Sequence, residues 1–220
     1  MATVKIGQKV PPLSVSAWVQ GQPTNFEALL GRVVLVAVFQ VNCPGCFLYC
    51  LPQVLALNQR YADSGLAVLG LATAFEDFDK NNLENLKRLV ETGEVVGETW
   101  KALNKRRLLC DGKLLYRIDF PVAMDRLTKR EFGSIENEID AFISQRLNDF
   151  EQQAEPRQQQ VRRQVQQYLQ AQEYQAETFE RFQLQGTPSY ILVDKAGLLA
   201  ACRFGNYPEL EADVVRLLQQ

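Results

Sequence analysis

The sequence predicts an α/β sandwich, and three observations carry that expectation. Apolar runs alternate with stretches of helical periodicity along the chain. Two of the runs, residues 33–40 and 66–72, are apolar almost throughout and rich in Val and Leu, as strands buried on both faces are. A further apolar run at 190–193 is followed by Asp194 to Gly197 and then by residues 198–203, which predicts an antiparallel hairpin turning at Gly197. With 220 residues the chain is long enough to bury a sizeable core in one domain, 1–220.

Each element follows from its own pattern. Residues 15–19 read as a short edge strand and 33–40 as a central strand bounded by Gly31. Residues 46–61 read as a helix, with Cys43 as its N-cap and Pro44 at the favoured first helical position. Residues 66–72 form the second buried strand, and 83–92 and 96–105 read as helices. Asp111-Gly112, inside residues 108–115, is a tight-hairpin signal. Residues 177–182 and 209–218 complete the set as helices.

The chemistry concentrates at Cys43-Pro44-Gly45-Cys46, on the turn from the central strand to its helix. Two cysteines two residues apart can close a small disulfide and open it again. Free backbone N–H groups and the positive end of the helix dipole surround a sulfur placed there, and both stabilise thiolate. Thiolate is the attacking species in disulfide exchange. Cys43 is therefore the candidate nucleophile and Cys46 the resolving partner.

Val33 to Gln53 resembles the active-site segment of thioredoxin-like redoxins (the AhpC/TSA-like redoxin fold), nearest the TlpA-type thiol–disulfide oxidoreductases. Gly186-Thr187-Pro188-Ser189-Tyr190 is similar to the segment that carries a cis-proline facing the cysteine pair in those proteins. Phe120-Pro121-Val122-Ala123-Met124-Asp125 and the opening Ile6 to Leu13 match as well. The resemblance covers residues 4–126 and 177–219. It implies a thioredoxin-like three-layer sandwich with a central mixed β-sheet, and Pro44, Gly45, Thr187 and Pro188 as the edge that meets an extended substrate. It also implies disulfide-containing protein substrates, and a reducing partner protein, thioredoxin-type donor or low-molecular-weight thiol that restores the dithiol. No cofactor is implied beyond the redox-active Cys43–Cys46 disulfide. The sequence departs from the pattern at three places: Asn42 replaces the usual tryptophan, Ala37 the buried acid of thioredoxin, and the helix proline falls one residue late, at Pro52.

A redoxin needs only a short connection where this chain has residues 128–176. Ser134 can cap a helix with an apolar stripe of Ile135, Ile139, Phe142, Ile143, Leu147 and Phe150. Glu155-Pro156 breaks it, and a glutamine-rich second helix runs from Arg157 to about Gln172. The expectation is an inserted αα-hairpin that serves either as an extra packed layer or as a lid near the disulfide.

Composition removes several functions. There is no histidine, so Cys-His and Ser-His-Asp catalysis and histidine metal ligation are absent. The net charge of −2 makes no case for nucleic acid or an anionic membrane as partner. No run is long enough to span a membrane, and Met1 to Lys5 lack a signal-peptide core, so a cytoplasmic location is expected. The five cysteines, an odd number, do not suggest a stapled secreted scaffold. A zinc site would need two of Cys50, Cys110 and Cys202 beside the pair, without a second C-x-x-C, and no metal is expected. Cys50 and Cys202 read as core residues and Cys110 as the most exposed of the remaining thiols. Glu76 and Asp77 follow the second strand at the functional edge of the sheet. They are candidates to relay the proton of Cys46, the alternative being solvated surface acids. Two other functions stay open: a thiol-dependent peroxidase of the peroxiredoxin class, although its motif before the cysteine is absent, and a redox-sensing binding protein using the insert.

Overall fold

The computed structural model describes residues 4–129, 134–147, 149–171 and 174–220. They form two compact units, one of residues 1–127 with 176–220 and one of residues 128–175.

The larger unit is organised by a six-stranded mixed sheet. Its strands are β1 (Val15–Gln20), β2 (Val33–Phe39), β3 (Leu66–Ala72), β6 (Val122–Asp125), β9 (Ser189–Val193) and β10 (Leu199–Phe204), in the spatial order β1-β6-β3-β2-β9-β10. β2, β3 and β6 run parallel; β1, β9 and β10 pair antiparallel to their neighbours. Every residue of β2 and β3 is buried, which is why both read as unbroken apolar runs.

Two apolar faces result from the period-2 alternation of β2. Val33, Leu35, Ala37 and Phe39 share a core with α1 (Leu51–Tyr61), α2 (Leu83–Thr92), α3 (Gly97–Lys105) and α7 (Leu210–Leu218). Val34, Val36 and Val38 face the other way, onto Phe179 of α6 (Glu177–Arg181) and onto Val10, Phe26, Phe182 and Leu184. The hairpin at Asp111-Gly112 is present as β4 (Leu109–Cys110) and β5 (Lys113–Leu114).

In the smaller unit, α4 (Ile135–Arg146) and α5 (Glu155–Ala171) pack Ile139, Ile143, Val165 and Leu169 into their own core. Arg162 bridges Glu136 at 3.0 Å and Asp140 at 2.6 Å across the pair. α5 begins at Glu155 rather than beyond Pro156, because proline is tolerated in a first helical turn, where its missing N–H has no partner to lose. α4 stops at Arg146, so Leu147 follows the helix and Phe150 sits in a short 3₁₀ turn. Ser134 occupies the N-cap position of α4 without a side-chain cap bond. Two three-residue strands, β7 (Leu127–Lys129) and β8 (Tyr174–Ala176), pair where the chain enters and leaves this region; runs this short show no alternation to announce them. Gln172, the expected end of the second helix, and Met1 to Thr3 lie outside the described residues. No helix among the described residues is long and apolar enough to cross a membrane.

Asp125 ends β6 with no exposed surface. Its carboxylate accepts from the backbone N–H groups of Thr178 (3.0 Å) and Phe179 (3.1 Å) and from Thr73 Oγ1 (3.1 Å). It thereby caps α6 from a neighbouring strand. Burial outweighs these bonds and pushes the carboxyl up to about 6. A folded-state pKa above the unfolded one means the native state holds this proton longer, so the stability it contributes falls as pH rises from about 4 to about 6. Across that window we expect Asp125 to remove up to about 3 kcal/mol. Urea unfolding of wild type and Asp125→Asn between pH 4 and 7 checks it: the advantage of wild type over the variant should shrink with rising pH.

Candidate functional site

The site begins where β2 ends. The chain leaves a strand buried on both faces and enters a helix within a few residues, so its polar groups must find partners there. Gln40, 2% exposed, accepts the Phe75 N–H at 3.1 Å. Asn42 is buried too. Its backbone N–H donates to Asn81 Oδ1 (2.8 Å), its amide nitrogen to Asp77 Oδ2 (2.7 Å), and its amide oxygen accepts the Glu98 N–H (2.6 Å). The last bond caps α3, whose own N-cap residue, Val96, supplies no side-chain bond. Gly97 has φ +56°, and a Cβ there would collide with Asn42 Oδ1. Thr99 Oγ1 donates to the Val41 carbonyl at 2.8 Å. The segment preceding Cys43 is thus fastened to two other loops.

The helix starts at Pro44, with Cys43 just outside it. Cys43 and Cys46 form a disulfide with their Cα atoms 5.4 Å apart. The Cys46 N–H points at Cys43, 3.0 Å from its carbonyl oxygen and 3.3 Å from its Sγ. Cys43 is partly exposed and Cys46 has no exposed surface. From Cys46 to Cys50 the helix widens into a π-turn, closed by the Leu51 N–H on the Cys46 carbonyl. Pro52 follows immediately. It has no N–H for the Leu48 carbonyl, and the wider turn gives its ring room.

Thr187 and Pro188 lie beside the pair. The Thr187 carbonyl oxygen is 3.6 Å from Cys43 Sγ, and a Cβ on Gly45 would meet Pro188 Cδ at 3.7 Å. The Thr187–Pro188 peptide bond is cis. Pro44, Gly45, Thr187 and Pro188 therefore border the disulfide together, although 144 residues separate Cys43 from Thr187. Glu76 and Asp77 are exposed on the loop after β3. Their carboxylates accept from Gln40 Nε2 (3.4 Å) and Asn42 Nδ2. Both contacts brace the chain ahead of Cys43.

The remaining thiols differ in environment. Cys50 is buried, and desolvation pushes its pKa up to about 12 against a hydrogen bond with Tyr190. Cys202, half-buried on β10, is pushed up to about 11. Cys110 is exposed on the β4–β5 hairpin. Sequence reasoning noted Asn42 only as a missing tryptophan. Its partners Asn81 and Glu98 are 39 and 56 residues away, and no local pattern points to them.

The sheet order, the two helical faces and the disulfide at the strand-to-helix turn define a thioredoxin-like fold. A thiol-disulfide isomerase from Corynebacterium glutamicum superposes with a TM-score of 0.60 at 24% identity, over 97% of this chain and 97% of that one. A thioredoxin-like superfamily protein gives 0.58 at 24% identity, over 96% and 97%. A thioredoxin-like protein solved in its oxidised form gives 0.54 at 18% identity, over 98% of each. No protein-family model matches the chain. Among curated proteins, FixW of Rhizobium leguminosarum is 28% identical over 79 residues, covering 34% of this chain and 33% of FixW. DipZ of Mycobacterium tuberculosis is 33% identical over 69 residues, covering 30% of this chain and 10% of DipZ. The matched stretch is thus a third or less of either relative.

Removing the Asn42 amide leaves the Glu98 N–H without its acceptor and the Asp77 carboxylate without its donor. Asn42→Ala is expected to cost about 2 kcal/mol. Gly97→Ala should cost at least as much, since it adds a clash with the Asn42 side chain to the strain of a positive φ. Urea unfolding of both variants measures this; a loss under about 0.5 kcal/mol, the ordinary surface value, would show the cluster to be incidental.

Proposed function

We propose that the protein is a thiol–disulfide oxidoreductase that reduces disulfides of protein partners. One observation carries this reading: a disulfide at a helix start, with the outer sulfur against the Cys46 N–H and beside the Thr187 carbonyl. In the dithiol form, the Cys43 thiolate attacks one sulfur of a substrate disulfide. The substrate S–S bond breaks, a Cys43–substrate mixed disulfide forms, and the departing substrate sulfur takes a proton. Cys46, deprotonated, then attacks Cys43 Sγ and releases the second substrate thiol. Two electrons have passed to the substrate, and Cys43–Cys46 is again a disulfide. An external dithiol or low-molecular-weight thiol returns the electrons.

The direction of this exchange is set by the redox poise of the compartment, and a cytoplasmic location favours reduction of the partner. The substrate edge is assigned to Pro44, Gly45, Thr187 and Pro188 because these residues border the exposed sulfur. The half-exposed position of Cys43 and the burial of Cys46 support the division into nucleophile and resolver.

The variants test that division. Cys46→Ser should accumulate mixed disulfides that run as extra bands on non-reducing gels, and Cys43→Ser should accumulate none. The reverse pattern would exchange the roles. Wild type driven by dithiothreitol should precipitate insulin by reducing its disulfides and should consume peroxide no faster than free dithiol does. Peroxide consumption that depends on Cys43, without insulin reduction, would select the peroxidase instead.

A further inference from the structure

Between residues 101 and 117 the chain carries six cations and a single acid, Asp111, although its net charge is −2. Lys101 is satisfied by Glu98 at 2.7 Å. Lys105, Arg106, Arg107, Lys113 and Arg117 are all exposed. Among the described residues none of these five has a carboxylate within ion-pair distance. Lys105 suits the negative end of α3, which accounts for that one residue alone.

Large apolar side chains are interleaved with the cations. Trp100, Leu108 and Leu115 are 43%, 41% and 65% exposed. The Trp100 indole stands over Gly112, at the tip of the β4–β5 hairpin. Lys113 and Arg117 line one cleft with Leu114 and Tyr116. Protein interfaces are enriched in Trp and Arg, and here both stand together at one exposed surface.

The α3–hairpin segment touches the residues flanking the cysteine pair at two points, Asn42 and Phe47. The first turn of α3 is bonded to Asn42 through the Glu98 N–H. Tyr116 Oη, at the foot of the hairpin, donates to the Phe47 carbonyl at 3.2 Å. α3 runs from Gly97 to Lys105, so its basic end lies about 10 Å along the helix from the Asn42 contact at Glu98, within the footprint of an ordinary protein interface.

We propose that the C-terminal turn of α3 and the β4–β5 hairpin together dock an acidic, apolar-bearing segment of a redox partner protein alongside Cys43–Cys46. The charge sign selects the segment and steers its approach, and Trp100 with Leu108 supplies the apolar contact. A lipid surface fits less well, because the chain's net charge of −2 opposes approach to an anionic plane, whereas a peptide meets the patch alone. The word redox rests on the proposed function; the docking does not.

Fluorescence anisotropy of the oxidised full chain tests the proposal with a fluorescein-labelled peptide of Glu-Glu-Leu repeats and its Lys-Lys-Leu counterpart. The Glu peptide should bind at least about tenfold tighter, with an affinity that falls as salt rises. Lys105→Gln/Arg106→Gln/Arg107→Gln should weaken it about tenfold, and Trp100→Ala should weaken it with the salt dependence kept. Reduction of the neutral hydroxyethyl disulfide should be unchanged in both variants. Equal affinity for the two peptides, wild-type binding by the triple variant, or tighter binding to phosphatidylserine vesicles than to the Glu peptide would each overturn the proposal. Peptide selectivity in a protein that reduces no disulfide would leave the docking surface and remove the redox reading; disulfide reduction without selectivity would do the opposite.

Discussion

The rest of the structure depends on β2 being buried on both faces and yet ending at a half-exposed turn that carries a disulfide. A strand with no solvent-facing side has no water to satisfy the polar groups at its end. Here Gln40, Val41 and Asn42 meet that requirement through bonds to Phe75, Thr99, Asn81, Asp77 and Glu98. These partners come from the β3–α2 loop and from the first turn of α3. The same bonds that keep the strand end from being an unsatisfied core therefore fix where Cys43 emerges. Helix geometry does the remainder, because Pro44 starts the helix and aims the Cys46 N–H back at the sulfur.

What was legible in the sequence follows from this physics. Two-sided burial writes an unbroken apolar run, so β2 and β3 could be bounded to within a residue. Local turn chemistry was equally readable: Asp111-Gly112 and the turn at Gly197 appear where their residues require them. Pro52 was visible as a helix proline, but its consequence was not, because the π-turn depends on how the preceding five residues share their carbonyls. Pro156 was read as a breaker and proved to be a starter; the residue is compatible with both, and only the chain before it decides. β7 and β8 were illegible, since three residues give no period to count.

The site was legible in its reacting atoms and illegible in its supports. Cys43 and Cys46 announce themselves by type and spacing, Thr187 and Pro188 by the resemblance to thioredoxin-like redoxins, and the fold gathers them around one disulfide. Asn42, Asn81 and Gly97 carry no such label. Their association is a matter of tertiary contact between segments far apart in sequence, and an asparagine in place of a tryptophan is neutral until its partners are seen. Glu76 and Asp77 are candidates for a proton relay or solvated surface acids by their position after β3, and the side-chain contacts they make are to Gln40 and Asn42.

Thiol placement separates the three cysteines that this segment carries in eight residues, of which the first two form the disulfide. Cys50 is one turn beyond Cys46 on the same face. Spacing alone would make it a third participant. Burial excludes it: with its pKa pushed up to about 12, Cys50 stays a protonated thiol at neutral pH, and a thiol neither attacks a disulfide nor leaves readily from one. Cys43 sits where the helix begins, partly open and facing an N–H group. From open helix start to sealed core, the three sulfurs are ordered as half-exposed in the disulfide, buried in the disulfide, and buried as a free thiol.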